Sequence, residues 1–231
     1  MKISVIIPTL NEADNIGKLL EYLKGHADDT LLEIIVVDAH SADNTEGVAQ
    51  THGATVLQSE KGRAIQMNRG AHYAKGDVLY FVHADCLPPK SYLVDIKNSV
   101  AEGYPIGCCR SKFDSKSFIL SINAYFTRFT PLWCRGGDET LFVTQDVFKT
   151  LGGYDEKQCI MEEYHFIDKA RAAYPFKIIP RYVLVSARKY TTNSWIRVQY
   201  ANFMAFSMFK KGASSHDIAE KYHQTLNYRK S

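Results

Sequence analysis

The run Ile3-Ser4-Val5-Ile6-Ile7-Pro8-Thr9-Leu10-Asn11-Glu12 decides the fold. Four of its first five residues are β-branched and apolar, with no polar/apolar alternation, so the run reads as a strand covered on both faces, as interior parallel strands are. Asn11 then predicts the N-cap of a helix carrying Ile16, Leu19, Leu20 and Leu23 on one face. The same unit recurs downstream. Glu33 to Asp38, Ala54 to Gln58 and Asp77 to His83 read as further strands, with helical patterns at Asp43 to His52 and Gly62 to Ala74 between them. Such alternation implies βαβ units and a parallel sheet.

Beyond Pro89 the pattern is mixed. A helix is expected at Ser91 to Ala101, a strand at Gly107 to Phe113, an aromatic-rich segment from Phe118 to Trp133 and a strand at Thr140 to Thr144. A helix follows at Glu162 to Ala173, then extended segments at Lys177 to Pro180 and Val183 to Ser186, and helices at Trp195 to Lys210 and Ser215 to Thr225. The helix from Trp195 is apolar on nearly every side, which favours burial in the core; a dimer interface or a peripheral membrane contact are its other uses, with Lys210 and Lys211 near anionic headgroups.

The 231 residues, 45 % hydrophobic and 23 % charged, suit one substantial core and exclude a disordered or low-complexity chain. We therefore read residues 1–231 as a single domain. The 28 basic and 25 acidic residues give a net charge of +3 without a basic stripe, which argues against a nucleic-acid partner. No apolar run reaches the ~20 residues of a membrane span, and Lys2 to Pro8 is too short for a secretory signal, so the expected location is cytoplasmic, either free or peripheral at the inner face of the membrane. Five cysteines without a C-x-x-C pair read as reduced and mostly buried.

In open parallel sheets, ligands bind beyond the carboxyl ends of the strands. Polar residues follow three of the strands here: Pro8-Thr9-Leu10-Asn11-Glu12, Asp38-Ala39-His40-Ser41 and His83-Ala84-Asp85. Each alone could cap a helix or shape a turn. Together at one rim they favour a nucleotide and cation site, because gathered carboxylates are costly unless paired or metal-bound. The glycine fingerprints of dinucleotide and P-loop sites are absent, which removes the usual anchors of hydride transfer and P-loop phosphoryl transfer.

Val5 to Glu12, Val36-Val37-Asp38 through Asp43-Asn44-Thr45, and Tyr80 to Asp85 resemble glycosyltransferase family 2. Gly62-Arg63-Ala64, Gln66-Met67-Asn68, His83-Ala84-Asp85 and Ser186-Ala187-Arg188-Lys189-Tyr190 are similar to its small radical-SAM/selenoprotein-associated bacterial branch. The resemblance covers nearly the whole chain. It implies a GT-A α/β fold, with a Rossmann-like, mostly parallel central sheet flanked by helices and followed by C-terminal helices. Residues 1 to about 100 would bind donor and metal, and 101 to 231 the acceptor.

The resemblance further implies that Pro8, Thr9, Glu12 and Asp38 hold the base and ribose of a nucleotide-diphosphate sugar, with Lys61, Arg63 and Asn68 lining the same pocket. Where the family commonly has Asp-x-Asp, the chain reads His83-Ala84-Asp85. Asp85 would hold Mn²⁺ or Mg²⁺ against the diphosphate, while His83 is left open between metal, phosphate and ribose. Arg188 and Lys189 would meet the leaving diphosphate, and Gly137 and Asp138 the acceptor. The Glu162-Glu163 pair matches the family's catalytic acidic motif, either residue being the base, although the dipole of a helix start favours acids there without any chemistry. The implied activity is inverting, metal-dependent sugar transfer to an acceptor, lipid-linked or small. A non-catalytic nucleotide-sugar sensor and a nucleotidyltransferase are the alternatives.

Overall fold

The computed structural model describes residues 1–134 and 140–226. Its eight-stranded sheet has the order β3-β2-β1-β4-β7-β6-β8-β5. The strands are β1 (Ile3–Thr9), β2 (Leu31–Asp38), β3 (Thr55–Gln58), β4 (Val78–Phe81), β5 (Cys86–Leu87), β6 (Ile106–Phe113), β7 (Leu141–Thr144) and β8 (Phe176–Val185). The chain steps from β1 outward to β3, then returns to place β4 on the other side of β1, parallel to it. That reversal opens a crevice at the carboxyl ends of β1 and β4, where ligands of such sheets sit. β7 runs antiparallel to both β4 and β6.

All seven residues of β1 are buried, as the unbroken apolar run requires. Successive side chains of a strand face opposite ways, so Ile3, Val5 and Ile7 join one core layer and Ile6 the other. The first layer is closed by α1 (Ala13–Gly25), α2 (Thr45–Thr51) and α4 (Tyr92–Ala101), through residues such as Leu19, Leu20, Ala49 and Leu93. The second is closed by α3 (Arg63–Tyr73), α6 (Gln145–Leu151) and α7 (Glu162–Ala173), through Met67, Phe148 and Phe166. Each fully buried side chain of this size contributes ~1.5–3 kcal/mol relative to exposure.

The contact of α3 with the sheet depends on Gly70. A Cβ there would stand 2.5 Å from Ile6 Cγ2 and 3.1 Å from Val37 Cγ2. Gly70→Ala should therefore destabilise the fold by ~1–3 kcal/mol, the usual cost of overpacking, in spite of alanine's better helix propensity. Urea unfolding measures this, and an unchanged midpoint would show that α3 can ride outward freely.

The structure corrects several local expectations. Glu12, not Asn11, occupies the N-cap position of α1, without a side-chain cap bond. Asn11 instead has φ 54° and accepts from the Ala42 amide at 2.8 Å. The two extended segments near Pro180 form one strand, β8. Its pairing with β6 jumps from Cys109–Ile179 to Arg110–Tyr182, and Pro180, which has no amide to donate, falls in that irregularity. Four cysteines are buried as expected, while Cys159 is exposed. Helix α9 (Trp195–Lys210) is not a core helix: it buries only Val198, Ala201 and Ala205, in a satellite cluster with α10 (Ser215–Thr225). Among the described residues, no helix is long and apolar enough to cross a membrane.

Candidate functional site

Parallel register brings the ends of β1, β2 and β3 to one edge, with Thr9 opposite Asp38 and Asp38 opposite Gln58. Asp38 is buried, and its carboxylate accepts from the Thr9 hydroxyl at 3.0 Å, the Ser41 amide at 2.8 Å and the Ser41 hydroxyl at 2.5 Å. It thereby shapes the turn at the mouth of the crevice. Gln66, to which the sequence reading gave no role, donates from Nε2 to both Thr9 O and Val37 O at 2.8 Å. Pro8 is buried opposite Val37.

Around this edge the fold assembles an ion cluster from distant parts of the chain. Arg188 forks onto Glu12, with Nη2–Oε1 2.6 Å and Nη1–Oε2 3.2 Å, and Nη2 also lies 3.1 Å from Asp85 Oδ2. Bidentate geometry of this kind makes the stronger sort of ion pair. The guanidinium offsets the repulsion between the two carboxylates. Beside it, His83 Nε2 is 3.0 Å from Glu163 Oε1, and Arg63 Nη1 is 3.3 Å from Glu162 Oε1. A residue from the start of α3 and one just beyond β4 thus grip both acids at the start of α7.

Glu162 and Glu163 are both buried, at 4 % and 3 % exposure. Among the described residues, Glu163 Oε2 has no hydrogen-bond partner. Burial pushes the Glu163 carboxyl above the usual carboxylate range; His83 opposes that rise, Glu162 adds to it and Arg63 reduces it. The fold therefore favours the protonated form, so the stability this group contributes is present below its unfolded pKa and lost as pH rises through the raised one. Denaturation curves should show the wild type losing stability with pH relative to Glu163→Gln across that interval. Parallel curves would mean no net shift.

Three non-glycine residues among those described have positive φ: Asn11, His40 and Met161, at 54°, 54° and 65°. Each lies within two residues of a candidate side chain: Glu12, Asp38 or Glu162. Such backbone costs ~1–3 kcal/mol and gathers where side chains must be aimed.

Two expected residues are directed elsewhere. Asn68 clamps the loop after α6, donating to Tyr154 O and Glu156 Oε1 at 2.9 Å and accepting from the Tyr154 amide at 2.9 Å. Lys189, the first residue of the short helix α8 (Lys189–Thr192), donates to the Tyr222 hydroxyl of α10 at 3.4 Å. Gly137 and Asp138 lie outside the described residues. The structure therefore brings together Glu12, Asp85 and Arg188, and likewise Arg63, His83, Glu162 and Glu163. Among the described residues, no three His, Cys, Asp or Glu side chains form a metal cage. What Asp85 offers a hard cation is one partly exposed carboxylate, which suits an ion that brings phosphate oxygens with it.

A sheet with this switch point, acids at its carboxyl edge and an acidic helix start across the crevice defines the GT-A type of α/β fold. A solved mannosyltransferase from Pyrobaculum calidifontis, in complex with GDP-Man and Mn²⁺, superimposes with a TM-score of 0.68 over 96 % of this chain and 68 % of its own, at 19 % identity. The chain belongs to glycosyltransferase family 2, whose model matches residues 4–179. Its relatives include glucosyl-3-phosphoglycerate synthase of Mycolicibacterium paratuberculosis, 32 % identical over 101 residues (40 % of this chain, 31 % of that one). Dolichol-phosphate mannosyltransferase of Pyrococcus furiosus is 33 % identical over 112 residues (46 % and 32 %). The chain matches about a third of the length of these curated relatives.

Proposed function

We propose that the chain transfers a sugar from a nucleoside-diphosphate sugar to an acceptor hydroxyl in one inverting displacement. The observation that carries this reading is the pairing of two acidic stations at one crevice, Asp85 beyond β4 and the buried Glu163 of α7, the latter with an oxygen that no described residue occupies. Family membership and the GDP-Man carried by the similar mannosyltransferase support the donor class. The acceptor stays open between a lipid-linked and a small molecule.

Glu163 takes the proton of the attacking hydroxyl, and its raised pKa brings it nearer the operating pH, where a general base works best. His83 orients this carboxylate through Nε2. Glu12 and Arg188 frame the donor's charged end, and the Thr9-Asp38-Ser41 network fixes the mouth of the crevice. Mn²⁺ or Mg²⁺ at Asp85 would neutralise charge on the departing diphosphate.

A thermal-shift screen of UDP- and GDP-sugars with and without Mn²⁺ tests the reading. A ligand at a hundred times its Kd adds ~2.7 kcal/mol, or roughly 5–10 °C for a chain of this size. The matching donor should produce that shift, larger with Mn²⁺. The absence of any shift across the panel would overturn the donor assignment, and binding without hydrolysis or transfer would leave a sensor.

A further inference from the structure

Two helices outside the main core layers share one surface. Helix α5 (Phe118–Phe126) exposes Phe118, Ile122 and Tyr125 along one stripe, and α9 exposes Ile196, Tyr200 and Phe203 opposite its buried Val198 and Ala201. The Tyr190 hydroxyl joins them, at 3.4 Å from both Asn123 of α5 and Gln199 of α9. Phe118 and Phe203 are 78 % and 72 % exposed, the profile of an interaction surface rather than of scattered apolar residues.

The two segments that carry these helices hold bases and no acid, and within them only Arg188 is drawn into carboxylates of the crevice, Glu12 and Asp85, among the described residues. Residues 115–134 contain Lys116 and Arg128 and no acid; residues 186–216 contain Arg188, Lys189, Arg197, Lys210 and Lys211 and no acid. Arg128 lies over the Tyr125 ring at 3.8 Å from its centre, a cation stacked on an aromatic anchor. A chain of net charge +3 overall therefore keeps both helices free of acids where their apolar side chains are most exposed.

We propose that this face docks on an anionic lipid bilayer, with the aromatic and aliphatic side chains entering the headgroup region and Lys116, Arg128, Lys210 and Lys211 meeting lipid phosphates. A second copy of the chain fits less well, because a two-fold contact would set the same basic rim against itself. Docking is independent of the transfer chemistry. Its geometric consequence is that the segment bearing Arg188, two residues before Tyr190, lies next to the bilayer.

The test is co-sedimentation of the full chain with vesicles of phosphatidylcholine alone and of phosphatidylcholine with phosphatidylglycerol, together with sedimentation velocity without lipid. We expect binding to the anionic vesicles that is at least about tenfold tighter than to neutral ones and weakens with salt. Phe118→Ser with Phe203→Ser should weaken it by about a hundredfold, and Lys210→Glu with Lys211→Glu by at least about thirtyfold. These side chains are exposed, so unchanged unfolding temperatures verify the folds. Leu32→Ser, an exposed apolar residue outside both helices, should change nothing. Absence of anionic-vesicle binding, equal affinity for neutral vesicles, or binding indifferent to the double phenylalanine change overturns the proposal. So does a lipid-free dimer that this double change dissociates without any vesicle binding.

Discussion

Glu163→Gln is expected to slow sugar transfer by ~10²–10⁴-fold, the usual contribution of a positioned base, while leaving donor affinity near the wild-type value. The glutamine keeps the size of the side chain and a group able to bond His83, so the crevice retains its shape, but it cannot accept a proton at pH 7. Because both acids of α7 are buried, the informative control is Glu162→Gln. Glu162 is held by Arg63 at 3.3 Å, whereas Glu163 has one oxygen without a partner among the described residues. We expect the Glu162 change to cost less. Initial rates at saturating donor measure both variants, and the reverse order would move the base to Glu162.

Asp85→Ala is expected to lower transfer by at least ~10³-fold and to abolish its response to Mn²⁺ concentration, since Lewis-acid stabilisation is worth several kcal/mol and each ~1.36 kcal/mol is tenfold in rate. The same substitution removes one of the two carboxylates that meet Arg188 among the described residues. Glu12→Gln separates the two effects: it weakens the grip on the same guanidinium but leaves Asp85 intact, so metal dependence should survive. A rate in the Asp85 variant that still climbs with Mn²⁺ would remove Asp85 from the cation site.

The sheet's first half is legible because burial on both faces leaves a clear record: β1 and β4 are mostly apolar, without polar alternation, and all their residues are buried. The carboxyl-edge acids followed from strand ends alone. What sequence patterns could not carry is pairing at long range. His83 meets Glu163 across 80 positions and Arg188 meets Glu12 across 176, and no local spacing encodes either contact. Helix α9 misled for a related reason: its pattern reports that apolar residues surround the axis, but whether they meet protein depends on neighbours contributed by other segments. The family resemblance puts Asn68 among the pocket residues, and its contacts in the fold, to the Tyr154 backbone after α6, are ones no local pattern encodes. Gln66 enters the sequence analysis only as part of a motif, although a polar side chain on the sheet-facing side of α3 is itself a signal that some buried backbone group needs a partner.

That glutamine has a wider consequence. Its amide holds together the carbonyls of two neighbouring strands at the point where their ladder ends, acting as a rivet across the lip of the sheet. The carboxyl edge of β1 and β2 is thereby tied by a side chain as well as by its own ladder, whereas the loops facing it take no bond from this amide. Under the proposed function, substitutions in those loops should change which acceptor is used while leaving this edge of the sheet fastened.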